Sequence, residues 1–192
     1  MTTLAPPATI AFIGLGMMGR PMATRLVEAG FKLRVFDVSQ KAVSDFVGAH
    51  PSALATASAK AAAQGAAALI TMLPDGKIVR QAVLEGRDAA VEGLDAGALV
   101  MDMSSSNPVD TQKLARDLAG RGVALLDAPV SGGVKRAVDG SLSIMVGGSA
   151  ADLERVRPVF GAMGKTITLC GPAGAGHALK ALNNYLSAAG LV

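Results

Sequence analysis

Gly14-Leu15-Gly16-Met17-Met18-Gly19 spells G-x-G-x-x-G, directly after a β-rich apolar run, Thr9 to Ile13, and directly before a helical pattern. In that setting each glycine has its own physical task. Gly14 permits a tight turn, Gly16 lets the backbone approach a bulky anion, and Gly19 lets the helix pack closely on the strand. Leu15, Met17 and Met18 fill the gaps and add their amides. A helix N-terminus offers free N–H groups and the positive end of a dipole, so the chemistry is diphosphate binding. Asp37 closes a second β-rich run, eighteen residues after Gly19. A carboxylate there accepts hydrogen bonds from ribose hydroxyls and repels a 2′-phosphate. Lys41, one helical turn on, reads as a solvated helix lysine. The residues therefore predict a dinucleotide site, with NAD favoured over NADP.

A second group lies near the far end of the chain. Lys180 and Asn184 are four residues apart, so they share a helix face, with Asn183 beside them. Ala178, Ala181 and Leu182 surround them. A lysine in an apolar pocket has a lowered pKa and trades protons near neutrality. A solvated lysine beside core alanines is the competing reading. His177, three residues before Lys180, is a rival proton carrier that we read as structural. Ser131-Gly132-Gly133 follows a strand. Its hydroxyl and amides either cradle one oxygen or carboxylate or form a plain turn before the next helix, and on the residues alone both readings stand.

These residues need a scaffold, and the chain supplies strand and helix patterns in alternation. Strands are predicted at Thr9–Ile13, Lys32–Asp37, Ala67–Leu73, Leu99–Met103, Val123–Asp127, Leu142–Val146 and Thr166–Leu169. A helix is predicted from Met17 to Ala29 with Gly30 closing it, and another to about Val47 with Ser39 as its cap. Ala53–Ala68 reads as an alanine-rich helix former, and Pro74-Asp75-Gly76 as a turn. Asn107-Pro108 predicts an N-cap and first helical residue for a helix ending at Leu118, and a further helix spans Ala151–Phe160. From Gly174 the pattern is helical and still running at Val192, so the chain reads as truncated, with a natural stop at a C′ glycine, Gly190, as the competing reading. The fold class is α/β: a Rossmann-type, doubly wound, mostly parallel sheet followed by the start of a long helix.

Composition narrows the function further. Half of the 192 residues are hydrophobic but only 3% are aromatic, so aliphatic side chains must build the core. The net charge of +3 is spread without a basic stripe or interleaved aromatics, which argues against a nucleic-acid partner. No apolar run reaches the roughly 18 residues that cross a bilayer. The first eight residues lack the pattern of a secretory signal, and the single cysteine, Cys170, fits a reducing compartment. A cytoplasmic protein without membrane or metal is expected.

With these motifs in view, the chain resembles the β-hydroxyacid dehydrogenases, a family that includes 3-hydroxyisobutyrate dehydrogenase and tartronate semialdehyde reductase. The likeness runs through Phe12 to Ala23, Met72-Leu73-Pro74, Asp102-Met103-Ser104-Ser105, Asp127 to Gly133, and Gly174-x-Gly176-x-x-x-Lys180-x-x-Asn183-Asn184, in family order. It implies that Leu73 and Pro74 lie against the adenosine half of NAD and that Ser105 stands near the nicotinamide. The family usually has threonine at that position, so a hydroxyl is kept and a methyl lost. It further implies that Ser131, Gly132, Gly133 and Asn184 bind substrate, and that Lys180 is the acid/base for hydride transfer with a small 3-hydroxy acid or its semialdehyde. Residues 1–173 would be the NAD-binding domain. Residues 174–192 would begin an interdomain helix leading to an absent all-α domain, without which NAD binds weakly and turnover is poor. A homo-oligomer is expected at full length. Two alternatives stay open: an NADPH-dependent imine reductase, a relative that resembles this fold but usually carries Asp or Tyr where Lys180 stands, and a non-catalytic NAD-binding module.

Overall fold

A computed structural model describes residues 2–190. Strand β1, Thr9–Ile13, is fully buried beyond its first residue, and its side chains divide between two cores. Ile10 and Phe12 join Leu26, Leu33, Val35 and Phe160 on one face of the sheet. Ala11 and Ile13 join Leu69, Val100 and Leu125 on the other. A strand with period-two side chains that are apolar on both faces must be covered on both, which is what double winding supplies.

Helix α1, Gly19–Glu28, follows the glycine loop, and Gly30 at φ +89° ends it as expected. The helix begins two residues later than predicted, because Met17 and Met18 form a turn. After β2, Lys32–Phe36, the Ser39 hydroxyl accepts the Ala42 N–H (3.2 Å) and caps α2, Gln40–Ala49. The alanine-rich stretch is not one helix. It holds a two-residue edge strand β3, Leu54–Ala55, and a short α3, Ala59–Ala63, capped by Ser58. Then come β4, Ala68–Thr71, and α4, Gly76–Arg80, whose N-cap Asp75 accepts two N–H groups. The predicted turn at Pro74-Asp75-Gly76 is thus a helix start. A π-helical turn, Gln81–Glu85, and a 3₁₀ turn, Ala90–Glu92, lead to β5, Leu99–Asp102. Asn107 and Pro108 open α5, Pro108–Ala119, as their types require, and β6, Ala124–Asp127, follows.

From β3 to β6 the sheet is parallel in the order β3-β2-β1-β4-β5-β6. Beyond β6 the direction changes. Strand β7, Val130–Ser131, continues the line of β6 past Ala128-Pro129, and both run antiparallel to β8, Leu142–Gly147, in one register. Between Ser131 and β8 lie ten residues, including α6, Gly133–Val138. A parallel crossover needs about a dozen or more, so the chain returns antiparallel. Helix α7, Ala150–Met163, then crosses over to β9, Gly164–Gly171, parallel to β8. The last helix, α8, covers Ala175–Ala188, with Gly190 at φ +69°. Among the described residues the helix ends at Ala188. Leu191 and Val192 lie outside the described residues.

Candidate active site

Strand order reverses at β1, which has β2 on one side and β4 on the other. Side by side, the loops leaving β1 and β4 diverge to opposite faces, and a crevice opens beyond their carboxyl ends. Here that crevice is a cleft of about 550 Å³ lined by Gly14, Gly16, Met17, Met18, Gly19, Asp37, Leu73 and Pro74, together with Phe36, Val38 and Ile78. The structure brings together every dinucleotide residue expected from the sequence except Leu15, which is buried beneath the loop, and Ser105, which is exposed and does not line the cleft.

The glycines act as their positions demand. Gly14 has φ +101°, and a side chain there would strike the Met72 carbonyl. A Cβ on Gly19 would run into the Gly14 carbonyl, whereas one on Gly16 would meet nothing and project into open space. The Gly14 N–H donates to Phe36 O (3.0 Å) and the Leu15 N–H to Asp37 Oδ2 (2.7 Å). The amides of Gly16, Met17 and Met18 donate to no acceptor among the described residues. Three free amides at a helix start fit a diphosphate, and the apolar walls fit an adenine ring.

Asp37 is more occupied than its sequence position suggested. Its second oxygen accepts the Ser39 N–H (2.8 Å). A carboxylate has about four lone-pair sites, so two remain for ribose hydroxyls.

Around β5 the sequence hid a polar cluster. Asp102 is buried, and Oδ1 accepts the Thr71 hydroxyl and the Ser104 N–H (both 3.0 Å), while Oδ2 accepts the Ser106 hydroxyl (3.0 Å). The Ser104 hydroxyl in turn accepts the Leu73 N–H (2.9 Å), fixing the loop on the cleft wall. Ser104, the neighbour of Ser105, thus shapes the site.

Asp127, fully buried at the end of β6, anchors α8. Its oxygens accept the N–H groups of Gly174 (2.6 Å) and His177 (2.8 Å). A carboxylate at a helix start satisfies orphan amides and complements the dipole. Gly147 and Gly176 leave the space: a Cβ on either would crowd the Asp127 carboxylate. The His177 ring packs between Asp102 and Asp127, 3.8 Å from each. Its Nε2 donates to the Ser104 carbonyl (3.0 Å), and Nδ1 lies 2.8 Å from the Thr111 hydroxyl. With both nitrogens engaged and the ring 1% exposed, His177 does a structural task.

One turn further, Lys180 is half-buried, and no carboxylate lies within ion-pair range of it among the described residues. Desolvation pushes its amine below the ordinary lysine range. Asn184 is exposed on the same helix face, and Asn183 is half-buried beside it. Ser131 pairs with Ser143 across β7 and β8, so it ends a strand rather than forming a free turn. Gly132 and Gly133 follow at φ +129° and +65°, with the Arg136 stem packed over Gly132. No hydrogen bond joins Ser131, Lys180 and Asn184 among the described residues. A separate groove of about 490 Å³ between α4 and α5 is lined by Lys77, Arg80, Lys113, Asp110 and Asp117, several of them ion-paired with one another.

A cleft at the switch point, free amides and an acid at the tip of β2 define a dinucleotide-binding domain, and comparison with known proteins agrees. The family described as the NAD-binding domain of 6-phosphogluconate dehydrogenase matches residues 9–171. The chain is 44% identical over 184 residues to a 3-sulfolactaldehyde reductase of Escherichia coli, covering 95% of this chain and 60% of that protein. It is 47% identical over 179 residues to an NAD-dependent L-serine dehydrogenase of Pseudomonas aeruginosa, covering 93% and 59%. The solved structure of Mycobacterium tuberculosis 3-hydroxyisobutyrate dehydrogenase with L-serine superposes with a TM-score of 0.86 at 40% identity, covering 98% of this chain and 61% of that one. The chain belongs to this family of NAD-binding domains. It spans about three fifths of the length of these relatives.

Proposed function

We propose that the protein is an NAD-dependent oxidoreductase acting on the CH–OH group of a small 3-hydroxy acid, or on its semialdehyde in reverse. The observation that carries this reading is Lys180: an amine with no ion-pair partner among the described residues, lowered by desolvation, on a helix whose first turn is clamped to the carboxyl edge of the sheet. Relatives named for 3-sulfolactaldehyde, L-serine and 3-hydroxyisobutyrate support a substrate with its reactive carbon close to an anionic group.

Bound NAD supplies the hydride acceptor. Lys180 takes the proton from the substrate hydroxyl as the alcohol is oxidised and returns it in reduction. Ser131 and the amides of Gly132 and Gly133 hold the carboxylate, and Asn184 orients the hydroxyl, so that the carbon faces the cofactor. Ser105 contributes its hydroxyl from the loop after β5. Asp37 favours NAD over NADP. Lys180 and Asp37 together count against an imine reductase, and the retained Lys180, Asn184 and Ser131 count against a non-catalytic module.

Residues 1–173 form the NAD-binding domain in this reading, and 174–192 begin an interdomain helix. The outer face of α8 supports that division, with Leu179, Leu182 and Tyr185 exposed in a row suited to an all-α domain. We retain a cytoplasmic location and a homo-oligomer for the whole protein. No helix among the described residues is long and apolar enough to cross a membrane.

The test is a panel of 3-hydroxy acids with NAD, followed by the absorbance of NADH, on the full-length protein and its Lys180→Ala variant. Loss of the acid/base should lower kcat by about 10²–10⁴-fold with NADH affinity unchanged. Turnover that survives the substitution refutes the role of Lys180.

A further inference from the structure

The glycine loop is tied down on one side and left free on the other. Its first two amides are bound to the end of β2: Gly14 N–H to Phe36 O (3.0 Å) and Leu15 N–H to Asp37 Oδ2 (2.7 Å). The next three, from Gly16, Met17 and Met18, have no protein acceptor among the described residues. Asp37 bridges the loop to the start of α2, since Oδ1 holds the Ser39 N–H (2.8 Å) while the Ser39 hydroxyl caps that helix.

We infer that Asp37 is a positioning residue for the diphosphate loop, through its bond to the Leu15 amide, and not only an acceptor for ribose hydroxyls. This rests on the dinucleotide reading of the cleft. Leu15 is 4% exposed, so its amide must find an acceptor inside the protein. A carboxylate makes the stronger, charge-assisted bond. Fixing that amide sets the direction of the peptide planes that follow it, and those carry the three free N–H groups. Without the bond, the buried N–H is left unpaired unless the loop turns it toward water, which disperses the diphosphate donors.

The two roles predict opposite signs for a ligand that lacks ribose hydroxyls. A carboxylate near a diphosphate repels it. If Asp37 served the ribose alone, removing it would leave the binding of 2′,3′-dideoxyadenosine 5′-diphosphate unchanged or strengthen it. If Asp37 shapes the loop, the same ligand binds less well despite the lost repulsion.

The experiment is a calorimetric titration of the protein, Asp37→Ala and Asp37→Asn with ADP and with its dideoxy analogue, each variant checked by its thermal midpoint. For Asp37→Ala we expect both ligands to weaken, the dideoxy analogue by roughly tenfold, the scale of one charge-assisted hydrogen bond. Asp37→Asn keeps one acceptor for two amides, so its loss for the dideoxy analogue should be intermediate. It also carries the test if Asp37→Ala does not fold. Unchanged or tighter binding of the dideoxy analogue by the variants overturns the inference and leaves a ribose-only role. Failure of the unmodified protein to bind either ADP or NADH would instead overturn the dinucleotide reading itself.

Discussion

Asp127 and His177 carry the attachment of α8 to the sheet. Both oxygens of Asp127 accept backbone N–H groups, and no part of the residue is exposed. An asparagine there accepts one of the two bonds and turns an NH₂ group toward the other donor. Asp127→Asn should therefore lower the free energy of unfolding by about 2–4 kcal/mol, the penalty of an unpaired buried amide plus a lost charge-assisted bond. Urea denaturation measures this, and a change below about 0.5 kcal/mol, the level of an ordinary surface substitution, contradicts the assigned role. The residue scale also shows what a linear sequence conceals. Gly14, Gly16, Gly19, Asp37 and Lys180 announce themselves because their spacing relates to neighbours in the chain. The bonds from Asp127 reach 47 and 50 residues ahead, and the Leu15–Asp37 bond spans 22. Only the sheet register brings these groups together, with Asp102 opposite Asp127 on adjacent strands. Ser104 escaped notice for a similar reason, since its partner Leu73 lies 31 residues back.

Elements were legible where a local signal fixed their ends. Ser39, Asn107-Pro108 and Gly30 bound their helices as their chemistry predicts. The alanine-rich stretch misled because high helix propensity says nothing about sheet edges, and β3 takes two of those residues to pair with β2. The antiparallel return after β7 depends on the length of the connection through α6, which periodicity does not weigh. At this scale the glycine loop and α1 act as one joint. Gly19 lies against the Gly14 carbonyl with no room for a methyl group. Gly19→Ala must push α1 away from β1, at a cost of about 1–3 kcal/mol, as for other overpacked sites. A thermal midpoint lower by several degrees is the expected result, and an unchanged midpoint contradicts the close packing.

As a whole, the molecule is a sheet whose central strands, β1, β4, β5 and β6, are covered on both faces, with its chemistry gathered at one edge. The two cores differ in texture. One holds Phe12, Phe31, Phe46 and Phe160, and the other is rich in alanine, with Ala59, Ala62, Ala63, Ala89 and Ala90 letting α3 and the turns after α4 approach the strands closely. The carboxyl ends of β2, β1, β4, β5 and β6 present Asp37, the glycine loop, the Leu73–Pro74 wall, Asp102 and Asp127 in that order across the edge. Much of the dinucleotide half lies in one βαβ unit, so Gly14, Gly16, Gly19 and Asp37 stood out in the sequence, whereas Ser105 does not line the cleft and Ser104, which holds Leu73, gave no local signal. The substrate half draws on β7, α6 and α8, whose arrangement depends on the antiparallel strands.

The most direct measurement is a fluorescence titration with NADH, comparing the protein with Gly16→Ala. Gly16 has room for a methyl group, so the variant should unfold at the same temperature as the parent, yet its Cβ stands in the cleft where the diphosphate approaches. A diphosphate seated on the glycine loop requires saturable binding by the protein and a loss of about tenfold or more in the variant, equivalent to roughly 1.4 kcal/mol. Equal affinity in the two proteins, or no saturation by either at millimolar NADH, would contradict it.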